Sequence, residues 1–371
     1  MRNIPPTQLY LSLYERLTKL WPNERDSRLT NLCYLLMGIF LRQKVQTGQI
    51  ASKIPLRAKR LSIVRRLERF LNNPAVRVRE WYEPTMIWLL KAAASSGHIA
   101  LIIDGTKVSF QHQCLMVAVA YHGRAIPLAW TWVPQARGHS SQSVQLALLS
   151  YIRARLPPSV AVSLVGDTEF GHTLVLDYLE HWGWQYVLRQ SGYNQLWTAI
   201  GWQSLSDLLR RPGDFSWRPN AALTQASPHT TNLVLTWQRG QPTPWLLATN
   251  LPSAHDALRL YKRRMWIEEL FGDLKGHGFD LESSHLLSFR PLACLTLAVV
   301  LLYLWLITEG TQALIQGRAA QVDRSNRRDL SLFRIGFELI STAITCSDPF
   351  QVYFDLVFDP SLFCLNQLSG G

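Results

Sequence analysis

Two short apolar runs in this 371-residue chain end in aspartate: His98–Asp104 (HIALIID, continuing GT) and Val160–Asp167 (VAVSLVGD, continuing TEF). A carboxylate at a strand end can face a cation without being buried alone, although either acid taken singly reads rather as an ordinary strand-end residue. As a pair on neighbouring strands they could converge on a hard cation such as Mg²⁺, which takes oxygen ligands, often one or two carboxylates plus phosphates. Two such ions can clamp the attacking and leaving oxygens of a phosphodiester. A third acid would come from the helix-like stretch Tyr261–Lys275 (YKRRMWIEELFGDLK). At about 100° per residue from Tyr261, Arg264 falls near 300°, Glu268 near 340° and Lys275 near 320°, so the four share a sector about 60° wide. Trp266, Ile267, Leu270, Phe271 and Leu274 fall between about 140° and 280° and form an apolar stripe beside that row. Glu269, near 80°, and Asp273, near 120°, lie outside it. Spacing therefore selects Glu268 as the partner of the two aspartates. The same row also describes a surface helix with an Arg264–Glu268 i,i+4 ion pair.

The surrounding pattern predicts the scaffold. His98–Asp104, Cys114–Tyr121 and Ala125–Thr131 read as three strands, the last two joined by a turn at His122-Gly123-Arg124. Ser140–Leu156 reads as a helix, Val160–Asp167 as a fourth strand, His172–Trp182 as a helix and Gln185–Arg189 as a fifth strand. This order is similar to that of the ribonuclease-H-like fold, in which the first and fourth strands are neighbours. Glu169 reads as a helix-entry acid favoured by the helix dipole, and His172 as a helix-start residue rather than a ligand. Residues 190–250 alternate Trp, Pro and Gly with short β-like runs (232–238 and 245–249) and read as a β-rich insertion. Ala254–Lys275 reads as one long helix stopped by Gly276 and Gly278. Pro291–Thr308 is 18 residues without a charge, the threshold length for a membrane span; with no second such run, it reads as the central helix of a large core, and no membrane partner is expected.

Charge is distributed unevenly. The net charge is +12, and 30 of the 38 cations are Arg, the better bidentate partner for phosphate. Residues 1–95 hold 17 cations against 6 acids, while 96–371 hold 21 against 20. That asymmetry points to a polyanion partner for the front part. There, Leu9, Leu13, Leu17 and Leu20 fall at helical spacing, Leu29–Leu41 is a second apolar helix, and Gly48 marks a break. Leu61–Leu71 then carries a basic face of Arg65, Arg66 and Arg69. The arrangement is compatible with a helix-turn-helix-like DNA module, and equally with a small helical domain bearing solvated Arg. A further basic cluster lies at Arg324, Arg327 and Arg328. With 47% apolar and only 17% charged residues, a disordered chain or long coiled coil is excluded. Cys33, Cys114, Cys294, Cys346 and Cys364 are odd in number and show no C-x-x-C, which excludes a disulfide framework and a zinc cluster. No secretory signal is read at Met1–Pro6, and a reducing cytoplasm is the expected location.

The spacing Tyr261, Arg264, Glu268, Lys275 is Y-x2-R-x3-E-x6-K. Together with IIDGT and GDTEF it resembles the signature of a large subgroup of bacterial insertion-sequence transposases with a DDE triad. The resemblance covers about residues 98–310, with a looser match in front. It implies an α/β, ribonuclease-H-like catalytic core interrupted by a β-rich insertion and preceded by an all-helical N-terminal domain. The implied boundaries are 1–95 for helical DNA binding, 96–189 for the first part of the core, 190–250 for the insertion, 251–310 for the second part with the Glu helix, and 311–371 for a C-terminal region. It further implies that Asp104, Asp167 and Glu268 hold two Mg²⁺ or Mn²⁺ ions and catalyse cleavage and strand transfer. Arg264 and Lys275 would hold DNA phosphates, with Tyr261 bonding or stacking beside them, and Arg65, Arg66 and Arg69 would bind DNA ends. The implied partners are double-stranded DNA, as terminal inverted repeats and target, and a second copy of the chain as a homodimer in the DNA complex. An aromatic near the second Asp stacks on a flipped base in relatives; Trp130, Trp132, Trp182 and Trp184 are all open for that role, as Lys107 is for a backbone contact. Two other readings stand beside this one: a transposase-derived DNA-binding protein that does not cut, and a nuclease that only hydrolyses.

Overall fold

The apolar period changes from about 3.6 to 2 near residue 97, and the architecture changes with it. The computed structural model describes residues 6–108, 112–134 and 140–358. In chain order its elements are α1 (Pro6–Leu20), α2 (Asp26–Arg42), α3 (Thr47–Ala51), α4 (Arg60–Leu71), α5 (Val78–Ala93), β1 (His98–Lys107), β2 (Gln113–Tyr121) and β3 (Arg124–Val133). Then come α6 (Gln142–Arg153), β4 (Ala161–Gly166), α7 (Thr173–His181), β5 (Gln185–Arg189), β6 (Gln195–Thr198), β7 (Gly201–Ser204), β8 (Phe215–Leu223), β9 (His229–Thr236) and β10 (Trp245–Thr249). The chain closes with α8 (Ala254–Tyr261), α9 (Met265–Leu274), α10 (Phe289–Ile315) and α11 (Leu332–Cys346). It divides into two units: Met1–Ser96 with Phe271–Gly371, and Gly97–Leu270.

The second unit is α/β. Its strands form one mixed sheet in the order β3-β2-β1-β4-β5-β10-β9-β8-β6-β7. β1 is antiparallel to β2 and parallel to β4, and β4 is parallel to β5. Strands from residues 190–250 extend this same sheet, because β10 adds antiparallel to β5 with Ala248 opposite Leu188. A buried hydroxyl chain stitches that junction: the Tyr186 and Thr231 hydroxyls lie 2.8 Å apart, and Thr231 donates to the Thr249 carbonyl at 3.0 Å.

The first unit is helical and is built around α10. That helix is long and apolar enough to cross a membrane, yet 94% of its apolar window is buried within the protein, where it packs against α2, α4, α5 and α11. Its Thr296 and Thr308 hydroxyls donate to carbonyls one turn back, both at 2.7 Å, so both buried hydroxyls are satisfied. The α10–α11 crossing is close enough to require glycine. A Cβ on Gly336 would lie 2.0 Å from the Leu306 carbonyl oxygen, and one on its neighbour Gly310 2.0 Å from that of Leu332.

Three expected boundaries shift. β1 runs past Asp104 to Lys107, because β2 pairs with it along that stretch, Lys107 opposite Gln113, although the apolar run has stopped. Gly48 lies inside α3, and the break precedes it: Gln43 takes φ 54° and its N–H closes α2 on the Ile39 carbonyl. The long helix expected over 254–275 is two helices separated by a 3-10 turn, Lys262–Arg264.

Gly336→Ala should lower the Tm of the protein, since overpacking against a rigid backbone costs about 1–3 kcal/mol. Gly48→Ala, where nothing lies within 4 Å of the added methyl, should leave it unchanged or raise it slightly. Circular-dichroism melting curves compare the two.

Candidate active site

Parallel pairing places the two aspartates. Ile103 lies opposite Gly166, so the next residues, Asp104 on β1 and Asp167 just beyond β4, leave neighbouring strands at the same level. Asp104 is oriented by the following backbone, whose Gly105 N–H donates to its Oδ1 at 2.7 Å. Asp167 opens a 3-10 turn over Thr168–Phe170, and its side chain makes no capping bond to that turn. The turn at Lys262–Arg264 then brings a guanidinium among the acids. Arg264 Nη1 donates to Asp104 Oδ2 at 2.9 Å and lies 4.0 Å from Asp167 Oδ2, while Nη2 donates to Glu268 Oε1. The structure thus gathers Asp104, Asp167 and Glu268 around one side chain that is only 10% exposed. Glu269 points elsewhere, 59% exposed and 3.2 Å from Arg124. The apolar stripe explains this register: Ile267, Leu270, Phe271 and Leu274 are buried.

Two neighbours of the cluster escape a reading by sequence pattern. Arg189, the last residue of β5, sets Nη1 3.6 Å from Asp167 Oδ1, while its Nη2 donates to Thr243 Oγ1 at 3.0 Å and the Pro244 carbonyl at 3.1 Å. The available signal was its place: β5 lies beside β4 with Leu188 opposite Gly166, so its end is level with Asp167. Glu169 is held by side-chain bonds rather than acting only as a helix-entry acid. It accepts from the Ser140 N–H at 2.6 Å and from Gln113 Nε2 at 3.1 Å, which ties the Asp167 turn to β2 and to the start of α6. Gln113 passes so closely over β1 that a Cβ at residue 105 would sit 2.2 Å from its Nε2, so a side chain there would have to move the amide that donates to Glu169.

The remaining candidates are placed less uniformly. Tyr261 is 2% exposed, with its ring edge-on to Trp245 at 5.0 Å, and its hydroxyl has no partner among the described residues. Lys275 follows α9 in the helical unit and pairs with Glu282 at 2.8 Å. On α4, Arg65 and Arg69 are exposed, whereas Arg66 is half-buried, donating to Asn31 Oδ1 and lying 5.2 Å over the Tyr34 ring. His172 is the N-cap residue of α7. Trp130, Trp132 and Trp184 are buried, and Trp182 is covered by Arg153. Cys33, Cys114, Cys294 and Cys346 form no disulfide among the described residues; Cys364 lies outside the described residues.

Chemically, the cluster is an all-oxygen donor set of three carboxylates, the kind that hard divalent cations take. Among the described residues no three His, Cys, Asp or Glu side chains form a ready-made metal group; the Arg264 guanidinium lies between the acids instead. Burial pushes the Asp104 carboxyl up to about 7, against the pull of Arg264 and the Gly105 N–H and with added repulsion from Asp167 and Glu268. Tyr261 is likewise raised by burial, then by Asp167.

A carboxyl whose pKa is higher folded than unfolded, where it is about 3.9, favours folding below that unfolded value. The contribution is lost as pH rises towards about 7. Metal-free Asp104→Asn should therefore melt at a higher temperature than wild type at pH 8, with the difference shrinking towards pH 4; equal curves at both pH values would remove the burial argument.

The transposase DDE domain model matches residues 95–305. No curated protein matches the chain. Among solved structures it is similar to the piggyBac transposase in a synaptic complex with hairpin DNA, at 11% identity and a TM-score of 0.41, over 92% of this chain and 78% of that one. The matched span holds all three carboxylates and Arg264, and more than half of the sequence: the chain belongs to the transposase DDE domain family.

Proposed function

We propose that the chain is a cut-and-paste DNA transposase of the bacterial insertion-sequence type, acting in the cytoplasm on the ends of its own element. The observation that carries this reading is the convergence of Asp104, Asp167 and Glu268 on one buried cation inside the family domain. A ribonuclease-H-like core is supported by the order β3-β2-β1-β4-β5, with β1, β4 and β5 parallel and β2 antiparallel to both of its neighbours, β1 and β3. The row Tyr261, Arg264, Glu268, Lys275 supports the subgroup.

In this reading Asp104, Asp167 and Glu268 hold two Mg²⁺ or Mn²⁺ ions, in keeping with the general use of divalent ions by the family. When bound, such ions activate water and later a 3′-hydroxyl and stabilise the departing oxygen. The chain's own residues supply positioning and charge neutralisation, which is most of what phosphoryl transfer asks of a protein. Gly105 N–H orients Asp104, the Gln113–Glu169–Ser140 tie holds the turn that carries Asp167, and the apolar stripe of α9 holds Glu268. Arg264 and Lys275 hold phosphates of the cut strand, and the buried Tyr261 hydroxyl has a donor to offer there. Water attacks the phosphodiester at the element end and frees a 3′-hydroxyl; that hydroxyl then attacks a target phosphodiester and displaces its 3′ oxygen. No protein nucleophile takes part. Arg65 and Arg69, with Arg66 beside them, contact the terminal inverted repeats, and two copies of the chain pair two ends.

Purified protein with Mg²⁺ or Mn²⁺ and duplex DNA carrying the ends that flank its gene should cut and join. Asp104→Ala, Asp167→Ala and Glu268→Ala should each abolish both steps and leave end binding largely intact, whereas Glu269→Ala should still cut. Specific binding without cutting by wild type would instead favour the non-catalytic reading, and cutting without joining the hydrolytic one. Charge reversal at Arg65 and Arg69 should weaken binding and reduce its salt slope by about one phosphate each; an unchanged slope would take α4 out of the interface.

A further inference from the structure

The carboxylate cluster already contains a cation, and the way that cation is held has a consequence for metal loading. Among the described residues Arg264 has three hydrogen-bond acceptors: Asp104, Glu268 and, weakly, the Met265 sulfur at 3.8 Å. Its Nε is buried with no acceptor. Arg189, on the other side of Asp167, is anchored independently by Thr243 and Pro244. Arg264 is therefore held chiefly by the oxygens that a divalent ion would need, and it projects from a 3-10 turn between two helices, a geometry often found at hinges. A guanidinium fork and a hard metal ion both draw on the charge of Asp104 and Glu268, and a cation seated on Asp104 Oδ2 or Glu268 Oε1 weakens the hold of the other.

We propose that Arg264 is the resident counter-ion of the cluster, that it competes with the divalent cation for Asp104 and Glu268, and that its release hands the guanidinium to a DNA phosphate. This rests on the reading of the cluster as a metal site. It adds to it a coupling: a phosphate that takes Arg264 vacates the carboxylates for metal, and metal that takes the carboxylates frees Arg264 for phosphate. Such coupling is reciprocal by thermodynamic necessity. Without DNA, Asp104 and Glu268 stay paired with Arg264 and bind metal weakly.

The test is Mn²⁺ titration of the full chain, read by loss of the free-Mn²⁺ electron paramagnetic resonance signal and by the shift in Tm. Wild type, Arg264→Gln, Arg264→Lys and Asp104→Asn are compared with and without a duplex oligonucleotide carrying the flanking ends. Without DNA, Arg264→Gln should bind Mn²⁺ about fivefold or more tightly than wild type, the lower end of couplings between linked sites. DNA should raise the Mn²⁺ affinity of wild type by a similar factor and that of Arg264→Gln little. Arg264→Lys keeps the charge without the fork that bridges two acids, so it should fall between. If Arg264→Gln does not unfold cooperatively, Arg264→Lys decides: tighter binding than wild type supports the exchange, and equal or weaker binding overturns it. Mn²⁺ binding that depends on Asp104 but is no tighter in Arg264→Gln overturns the exchange and leaves the metal site standing. Mn²⁺ binding that Asp104→Asn does not change, in any background, overturns the metal site and the exchange together.

Discussion

Three carboxylates cannot share a partly buried space without a cation. Asp167 and Glu268 both repel the charge on Asp104, and Arg264 pulls against them. The fold around the cluster answers this repulsion twice. It turns Arg264 inward by tightening the backbone into a 3-10 turn, and it fastens Arg189 beside Asp167 from the loop that leads into β10. Burial, and after it the charges of Asp167 and Glu268, still outweighs the pull of Arg264 and the Gly105 N–H, so the Asp104 carboxyl holds its proton far above the usual carboxylate range. Perturbed acids of this kind cluster at functional sites.

The supports of the cluster come from separate elements held in register. β1 and β4 set the two aspartates level, the α9 stripe sets the glutamate, and Glu169 binds the Asp167 turn to β2 and the α6 N-terminus. The continuous sheet then links that core to the strands of residues 190–250 through the β5–β10 pair and its buried hydroxyls. A shift of β10 would pass directly to Arg189, which hangs from the residues just before that strand.

Much of this was legible in the sequence because it depends on local period. The choice of Glu268 over Glu269 follows from helical angle alone, and β5 and β10 occupy the residues their apolar runs indicate. The rest depends on partners distant in the chain. Lys262-Arg263-Arg264 are good helix formers, and only acids about 100 and 160 residues earlier explain the turn there. Arg189 and Glu169 acquire meaning only once sheet order and the packing of α6 are known. Tyr261 looks like a rim residue by angle, yet it meets Trp245 from a neighbouring strand and is buried. The run at 291–308 meets the length of a membrane span, the lack of a second such run favours a core helix, and its contacts with α2, α4, α5 and α11 bear that reading out.

The discontinuous construction of the helical unit has a consequence for biosynthesis. α1–α5 leave the ribosome before the sheet unit, but the helix that fills their core is made only after that entire unit has been translated, and α11 follows later still. Through that interval the early helices lack their central partner, and α10 then emerges as a naked apolar rod before α11 can cover it. Exposed surface of this kind invites aggregation or chaperone capture. A chain truncated shortly after α10 would therefore be poorly soluble even though its sheet unit and all three cluster acids were complete.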